Sequence, residues 1–579
     1  TIANSGEEIG GEIIPGGHLT FEGGSINISG LVETASTVLS FQASDGDIVL
    51  ENGGGVANTG SEFLPGGHVV MTADQGNIEL EQGAWVNVSA GLQGDAGRLE
   101  LIAQQGQALI EGALSGWSPN EGHGGSLLLD VDSLASSFSE LNDRLAWNSG
   151  LQTGGLDNEI SIRVRTGGVL LDTPVKARSF KVVAEGQNEN GVSIELRGAI
   201  DASGDSGGNV ELLAMQDLVL AGGSLIDASA AQSGEEGGSV FLGSAEGLLD
   251  FRDGSVIDVT GAEGGDGGKV HFRAERSGDA VAMILDGGVM GYSDLNNDVD
   301  LGSRDDSRIV TIVAEAFEVF EAQTLQQQHI DAASQFVNGF TGFEGALGDE
   351  VHLRPGIEIR SMDEDMSVGT DWDLSMVRFN GEPGVLTLRS ADDLTIDSEI
   401  KDQPLFNWTE QYDNSWAMNF IAGSDMSSAD PMAVDTDLDP SEAVLTMDDG
   451  ARIYTQYAPI LFISRGDAVF SGSGSSSDFI VTDDYGDMNP GWLSFYLPDM
   501  PYQIGTYSGD ITGCIDWDLD LDGVIQSASG NIAIAAQGDI DLTAATSAIR
   551  TTGIVPLLGE VGMANPGEAV LDHYLAYTQ

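Results

Sequence analysis

The chain of 579 residues carries 92 acidic against 22 basic side chains, for a formal charge of −70, which excludes nucleic acid and anionic membrane as natural partners. Its 41% hydrophobic content is too high for a disordered chain despite that charge. Cys514 is the only cysteine, so no intrachain disulfide scaffold can form, and no apolar run reaches the length of a membrane-spanning helix.

Residues 1–135 read as β-helix coils. EIIPGGHL from Glu12 and EFLPGGHV from Glu62 stand 50 residues apart, followed by SINISG from Ser25 and WVNVSA from Trp85. Asn27, Asn87 and, far downstream, Asn407 each open an N-x-Ser/Thr sequon. Glycine-rich repeats generate such triplets easily, so corner roles are expected ahead of glycosylation. Thr1 opens no signal peptide, which points to a processed portion of an exported protein. Residues 136–150 break the strand pattern: in SFSELNDRLAWNS from Ser137, the spacing of Leu141 and Leu145 predicts a short helix.

Over 151–320 the repeats become regular. The strands ISIRVR from Ile160 and FKVVAE from Phe180 lead into a phrase that occurs three times, as AIDASG from Ala199, LIDASA from Leu225 and VIDVTG from Val256. Each is followed by a Gly-Gly pair that opens another strand, and the pairs begin at Gly207, Gly237 and Gly267, 30 residues apart each time. A fixed period of this size is the mark of a solenoid. Within VIDVTG, Ile257 and Val259 alternate with Asp258 and Thr260, the period of a half-buried strand. One such unit cannot bury its apolar face alone, but stacked on the next it builds a continuous core. No helical stretch long enough for a βαβ crossover intervenes. We therefore expect an all-β fold, a right-handed parallel β-helix, with Asp201, Asp227 and Asp258 repeating at one position as an acidic ladder. Residues 321–345 carry a helical insertion, with Ile330, Ala333, Phe336 and Val337 on one side and Asn338-Gly339 as its stop. From 346 to 579 glycine thins and aromatic residues increase, and the same β-helix is expected with longer loops.

Several groups are candidates for chemistry. Asp518, Asp520 and Asp522 alternate ahead of Gly523, as in the first half of a D-x-D-x-D-G calcium loop, although position twelve is Ser529 rather than a bidentate Glu. The alternative is a strand with an acidic outer face. Asp294, Asn296, Asp298 and Asp300 form a second alternating set, and Asp435, Asp437 and Asp439 a weaker third. No cofactor is required on this reading, and calcium is the one candidate ion. Trp372, Trp408, Trp416 and Trp492, with Trp517, are candidates for a sugar- or partner-binding face; equally, they can cover loops packed on the rod. Gly122-His123-Gly124 resembles the GHG of polygalacturonase-type hydrolases, but no Asp-Asp pair precedes it and no Arg-x-Lys occurs. His18, His68 and His123 are therefore expected at repeat corners. Asp392-Asp393 and Asp483-Asp484 sit in strand-end turns without evident partners, Cys514 has no histidine at a useful spacing, and catalysis is not expected.

Four segments together resemble a known family: RLAWNSGLQTGG…ISIRVRTGGVLLD from Arg144, the IDASG…GGNVEL…GGSLIDASA phrase, VHLRPGIEIRS from Val351, and DWDLSMVRFNGEPGVLTLRSADDLTI from Asp371. They look like the large exoproteins of the filamentous haemagglutinin family, exported by two-partner systems in Gram-negative bacteria. The resemblance implies a β-helical fibre passed through an outer-membrane transporter and displayed at the cell surface. There it would adhere to host or neighbouring cells or to polysaccharide, or self-associate head-to-tail or laterally into matrix, without inserting into the membrane. The chain departs from the family in lacking an NPNG-type secretion motif and in its acidity, which favours a structural, cation-bridged role. The alternative is a polysaccharide-binding or polysaccharide-cleaving β-helix.

Overall fold

The computed structural model describes residues 17–61, 64–119, 122–291, 310–343, 345, 347, 351–362, 364–402, 415–448, 451–455, 458–471, 504–506, 511–515, 519–522, 524–527, 532–536, 540–542 and 548–551. They fall into two compact units. The first is drawn from Thr1–Val319, Ile330–Gly356 and Met426–Ala433, the second from Phe320–His329, Ile357–Asp425 and Val434–Gln579. The sequence groups 346–579 together because its loops lengthen there. Loop length does not determine which coils pack together, and 346–356 and 426–433 belong with the first unit.

The first unit is a parallel β-solenoid. His18–Gly23 pairs with Val38–Ala43, which pairs with His68–Ala73, which pairs with Arg98–Ile110. The ladder continues through Ser126–Leu134, Glu159–Val164, Ser179–Ala184, Asn209–Ala214, Ser239–Ser244 and Lys269–Ser277. His18 stands beside Val38 and Val38 beside His68. The two PGGH phrases therefore occupy one ladder position two coils apart, and their separation of 50 is one step of 20 (18 to 38) plus one of 30 (38 to 68). Two shorter ladders complete the regular coils. One runs through Val169–Leu171, Val192–Leu196, Asp217–Leu220, Leu249–Phe251 and Met283–Leu285. The other runs through Val175–Lys176, Ala199–Asp201, Leu225–Asp227, Val256–Asp258 and Gly288–Met290.

Because partners are in exact-parity register, inward residues stack in columns. Phe180, Val210, Val240 and Val270 follow one another and are all buried; each buried side chain of this size contributes about 1.5–3 kcal/mol. Close stacking also explains the Gly-Gly pairs. A Cβ on Gly238 would stand 1.9 Å from the carbonyl oxygen of Gly208, and one on Gly268 2.0 Å from that of Gly238. Only a residue without a side chain lets successive coils close at this point.

The outer face of the main ladder is not uniformly solvated. Val183 and Leu213 alternate with core residues and so point outward, yet both are buried against Ala429, with Met215 and Phe241 packed alongside. The segment Met426–Ala433 thus lies across the outside of these coils. The helix Phe138–Leu145 starts on a capping box, in which Ser137 Oγ accepts from Glu140 N at 3.3 Å and Glu140 Oε2 from Ser137 N at 3.1 Å. It buries Phe138, Leu141 and Leu145. A second helix, Gln327–Gly339, buries Ile330, Ala333, Phe336 and Val337.

The second unit repeats the architecture. Val385–Ser390, Ala417–Ala422, Ile460–Ser464, Ile511–Ile515 and Ile532–Ala536 form one parallel ladder. Two others run from Met366–Val368 to Ile540–Leu542 and from Trp372–Asp373 to Ala548–Thr551. Among the described residues, no helix is long and apolar enough to cross a membrane.

Candidate functional site

The acidic ladder is a turn-forming device. Asp201, Asp227 and Asp258 stand in register on successive coils. Each Oδ1 accepts from the backbone N–H and the hydroxyl of the residue two positions on: Ser203 at 3.1 and 2.6 Å, Ser229 at 3.1 and 2.6 Å, Thr260 at 3.0 and 2.6 Å. These bonds close a turn where each strand ends. Asn87 does the same for Ser89 N at 2.9 Å, and Asp373 for Ser375 N at 3.1 Å in the second unit.

The described residues include only some of the calcium candidates. Asp518, Asp294, Asn296, Asp298 and Asp300 lie outside the described residues, as do Asn407, Trp408, Asp483, Asp484, Trp492 and Trp517. Asp520 and Asp522 belong to the strand Leu519–Asp522, with Asp520 in register with Val469 and Asp541. Asp435 Oδ1 accepts from Asp437 N at 2.9 Å, and Asp439 Oδ1 from Ser441 N at 3.0 Å and its hydroxyl at 2.8 Å. Asp439 thereby caps the 3-10 turn Pro440–Glu442, and these bonds hold its carboxyl below the usual range. Among the described residues, no group of three or more His, Cys, Asp or Glu is arranged to hold a metal ion.

Other candidates have structural partners. Asp393 Oδ1 accepts from Val444 N at 2.7 Å, which corrects the expectation that the Asp392-Asp393 turn lacks one. Burial pushes the Asp393 carboxyl up, against that bond and with the help of Asp365 and Asp392. His18 Nε2 lies 3.4 Å from Ser40 Oγ, and His68 pairs with Glu100 at 3.0 Å. Burial alone would raise the Glu100 carboxyl, but His68 and Arg98 together hold it below its ordinary value. Cys514 sits in register with Ile463 and Ala535 on the strand Ile511–Ile515.

Trp416 is a correction. It is 0% exposed and cannot contribute to a binding face. Its Nε1 donates to Val377 O at 3.0 Å, its ring meets Phe379 at a centroid distance of 5.6 Å, and its backbone N donates to Asp402 at 2.7 Å. The Asp402 carboxylate is itself buried and takes Arg378 Nη2 at 2.8 and 3.1 Å. Burial pushes its pKa up, with Arg378 opposing. An indole this large, with its N–H satisfied, is the core beneath the loop. Trp372 is half-buried beside Ile400.

In the first unit a half-buried and an exposed tryptophan pack together. Trp117 and Trp147 meet at a centroid distance of 5.2 Å and an interplanar angle of 33°. Trp147 is 43% exposed, and Leu151, in the same turn, 72%. Trp147 follows the helix Phe138–Leu145, and Asn148 Oδ1 shapes the turn by accepting from Gly150 N at 3.1 Å and Leu151 N at 3.3 Å. Trp117 can lie down because residue 155 is glycine: a Cβ there would come within 2.9 Å of Trp117 Cβ. The first unit also carries a polar chain at its turns. Arg178 Nη1 lies 2.9 Å from His123 Nε2, and His123 Nδ1 3.2 Å from Asp95 Oδ1. Arginine only donates, so Nε2 accepts and Nδ1–H is the donor to Asp95. The backbone N–H of His123, at 2.7 Å from Asp95 Oδ1, is the main reason the Asp95 carboxyl sits below its usual range.

The sequence contained a signal for this pair. Core positions of a solenoid lie on strands, while Trp117 and Trp147 stand in Gly-, Ser- and Asn-rich turns, GWSPN and AWNSG. Comparison of the chain with family models, curated proteins and solved structures finds no match.

Proposed function

We propose that the chain is an extracellular structural and adhesive β-solenoid of a Gram-negative cell surface, and that it holds neutral, β-linked polysaccharide through Trp117 and Trp147. The observation that carries this reading is the exposed Trp147 indole packed against the half-buried Trp117. The C–H faces of a pyranose ring pack on indole faces, and such contacts bury large area at low entropic cost. The charge of −70 disfavours anionic glycans. The segments that resemble filamentous haemagglutinin exoproteins support the extracellular setting, export through an outer-membrane transporter and self-association. The reading is one of binding without turnover; calcium is left as a candidate ion for the stretch around Asp520.

Co-sedimentation with insoluble β-glucan tests it. The wild-type chain is expected to pellet, and Trp147→Ala and Trp117→Ala each to weaken binding about tenfold, equivalent to about 1.4 kcal/mol, with unchanged circular dichroism. Undiminished binding by the double variant would overturn the assignment of the site.

A further inference from the structure

Beneath the segment Met426–Ala433, three ionisable side chains converge. Lys181 stands in register with Glu211 on the next coil. Its Nζ lies 3.0 Å from Glu211 Oε2 and 2.6 Å from Asp430 Oδ2. The sequence has four lysines, Lys176, Lys181, Lys269 and Lys401, and this one is set beside the apolar cluster of Val183, Leu213, Ala429, Met215 and Phe241. Asp430 is 7% exposed, and its other oxygen, Oδ1, accepts from Met432 N at 2.9 Å. The site thus holds an amine, a carboxyl whose far oxygen is polarised by a backbone N–H, and a second carboxylate within reach of the amine. These are the parts needed for acyl transfer to nitrogen.

We propose that Lys181 and Asp430 condense to an intramolecular isopeptide bond, with Glu211 carrying the protons. Burial alone would lower the Lys181 ammonium, but Asp430 and Glu211 outweigh it and hold the group well above its ordinary range. A proton must therefore leave Nζ before attack, and Glu211 is placed to take it. The neutral amine adds to Cγ of Asp430, and negative charge gathers on Oδ1, where Met432 N–H stabilises it. The Cγ–Oδ2 bond then breaks. Of the three ammonium protons, one remains on the amide nitrogen and two leave with Oδ2 as water, so Glu211 ends as it began. No oxidant or cofactor enters. Condensation replaces two charges against an apolar cluster by one neutral amide, which removes their desolvation cost. It also fixes Met426–Ala433 covalently to the outer face of the sheet.

Mass spectrometry of the denatured full-length chain tests this directly. The wild type is expected to be lighter than its sequence mass by one water, and proteolysis to release a branched peptide joining Lys181 to Asp430. Asp430→Ala and Glu211→Gln are expected at full mass. A wild-type chain at full mass, with Lys181 recovered as a free amine in a linear peptide, overturns the proposal. A branched peptide formed to the same extent in Glu211→Gln overturns the role given to Glu211.

Discussion

Asp227 shows what a single residue contributes to this fold. Its carboxylate lies between those of Asp201 and Asp258 on coils about 4.8 Å apart, where like charges repel by about 1 kcal/mol each in water. The side chain is retained because Oδ1 closes the turn onto Ser229. Asn keeps that acceptor without the charge, as Asn87 does at its own corner. Asp227→Asn is therefore expected to change stability by less than about 0.5 kcal/mol, and Asp227→Ala to cost about 1–2 kcal/mol, read by urea unfolding. Equal losses in the two variants would show that charge, not the turn, is what matters. The recurrence of the aspartates was legible in the sequence, but their task was not, because it depends on the hydroxyl two residues on. Trp416 was illegible for a related reason: nothing local separates an indole that covers a core from one that faces solvent.

At the scale of the element, the Gly-Gly pairs fix how closely coils approach. Gly238→Ala would drive a methyl into the Gly208 carbonyl and is expected to cost about 3 kcal/mol, the upper end of overpacking. Gly288→Ala meets nothing within 4 Å and should be nearly neutral. Thermal or denaturant unfolding of the two variants checks the contrast, and similar losses would contradict the steric account. The main ladder and both helices could be read from period and spacing. The covering of the outer face by Met426–Ala433 was not, although a trace of it is present. Val182-Val183 and Leu212-Leu213 are adjacent apolar pairs, and they break the alternation that a strand with a solvated outer face would keep.

For the whole molecule, the all-β parallel solenoid followed from a 30-residue period that no globular α/β pattern produces. The division into two compact units did not, since both are built from the same three-ladder coil. The pairing of Trp117 with Trp147 was not legible, because the two residues lie 30 positions apart in turns on different coils. The central claim, that Trp117 and Trp147 hold a neutral glycan, is tested most directly by tryptophan fluorescence during titration with a soluble β-glucan oligosaccharide. The account predicts a saturable spectral shift in the wild type that disappears in the Trp117→Ala/Trp147→Ala double variant, while its other six of eight tryptophans still report a native fold. A shift of the same size and midpoint in the double variant, or no shift in the wild type at saturating oligosaccharide, would contradict it.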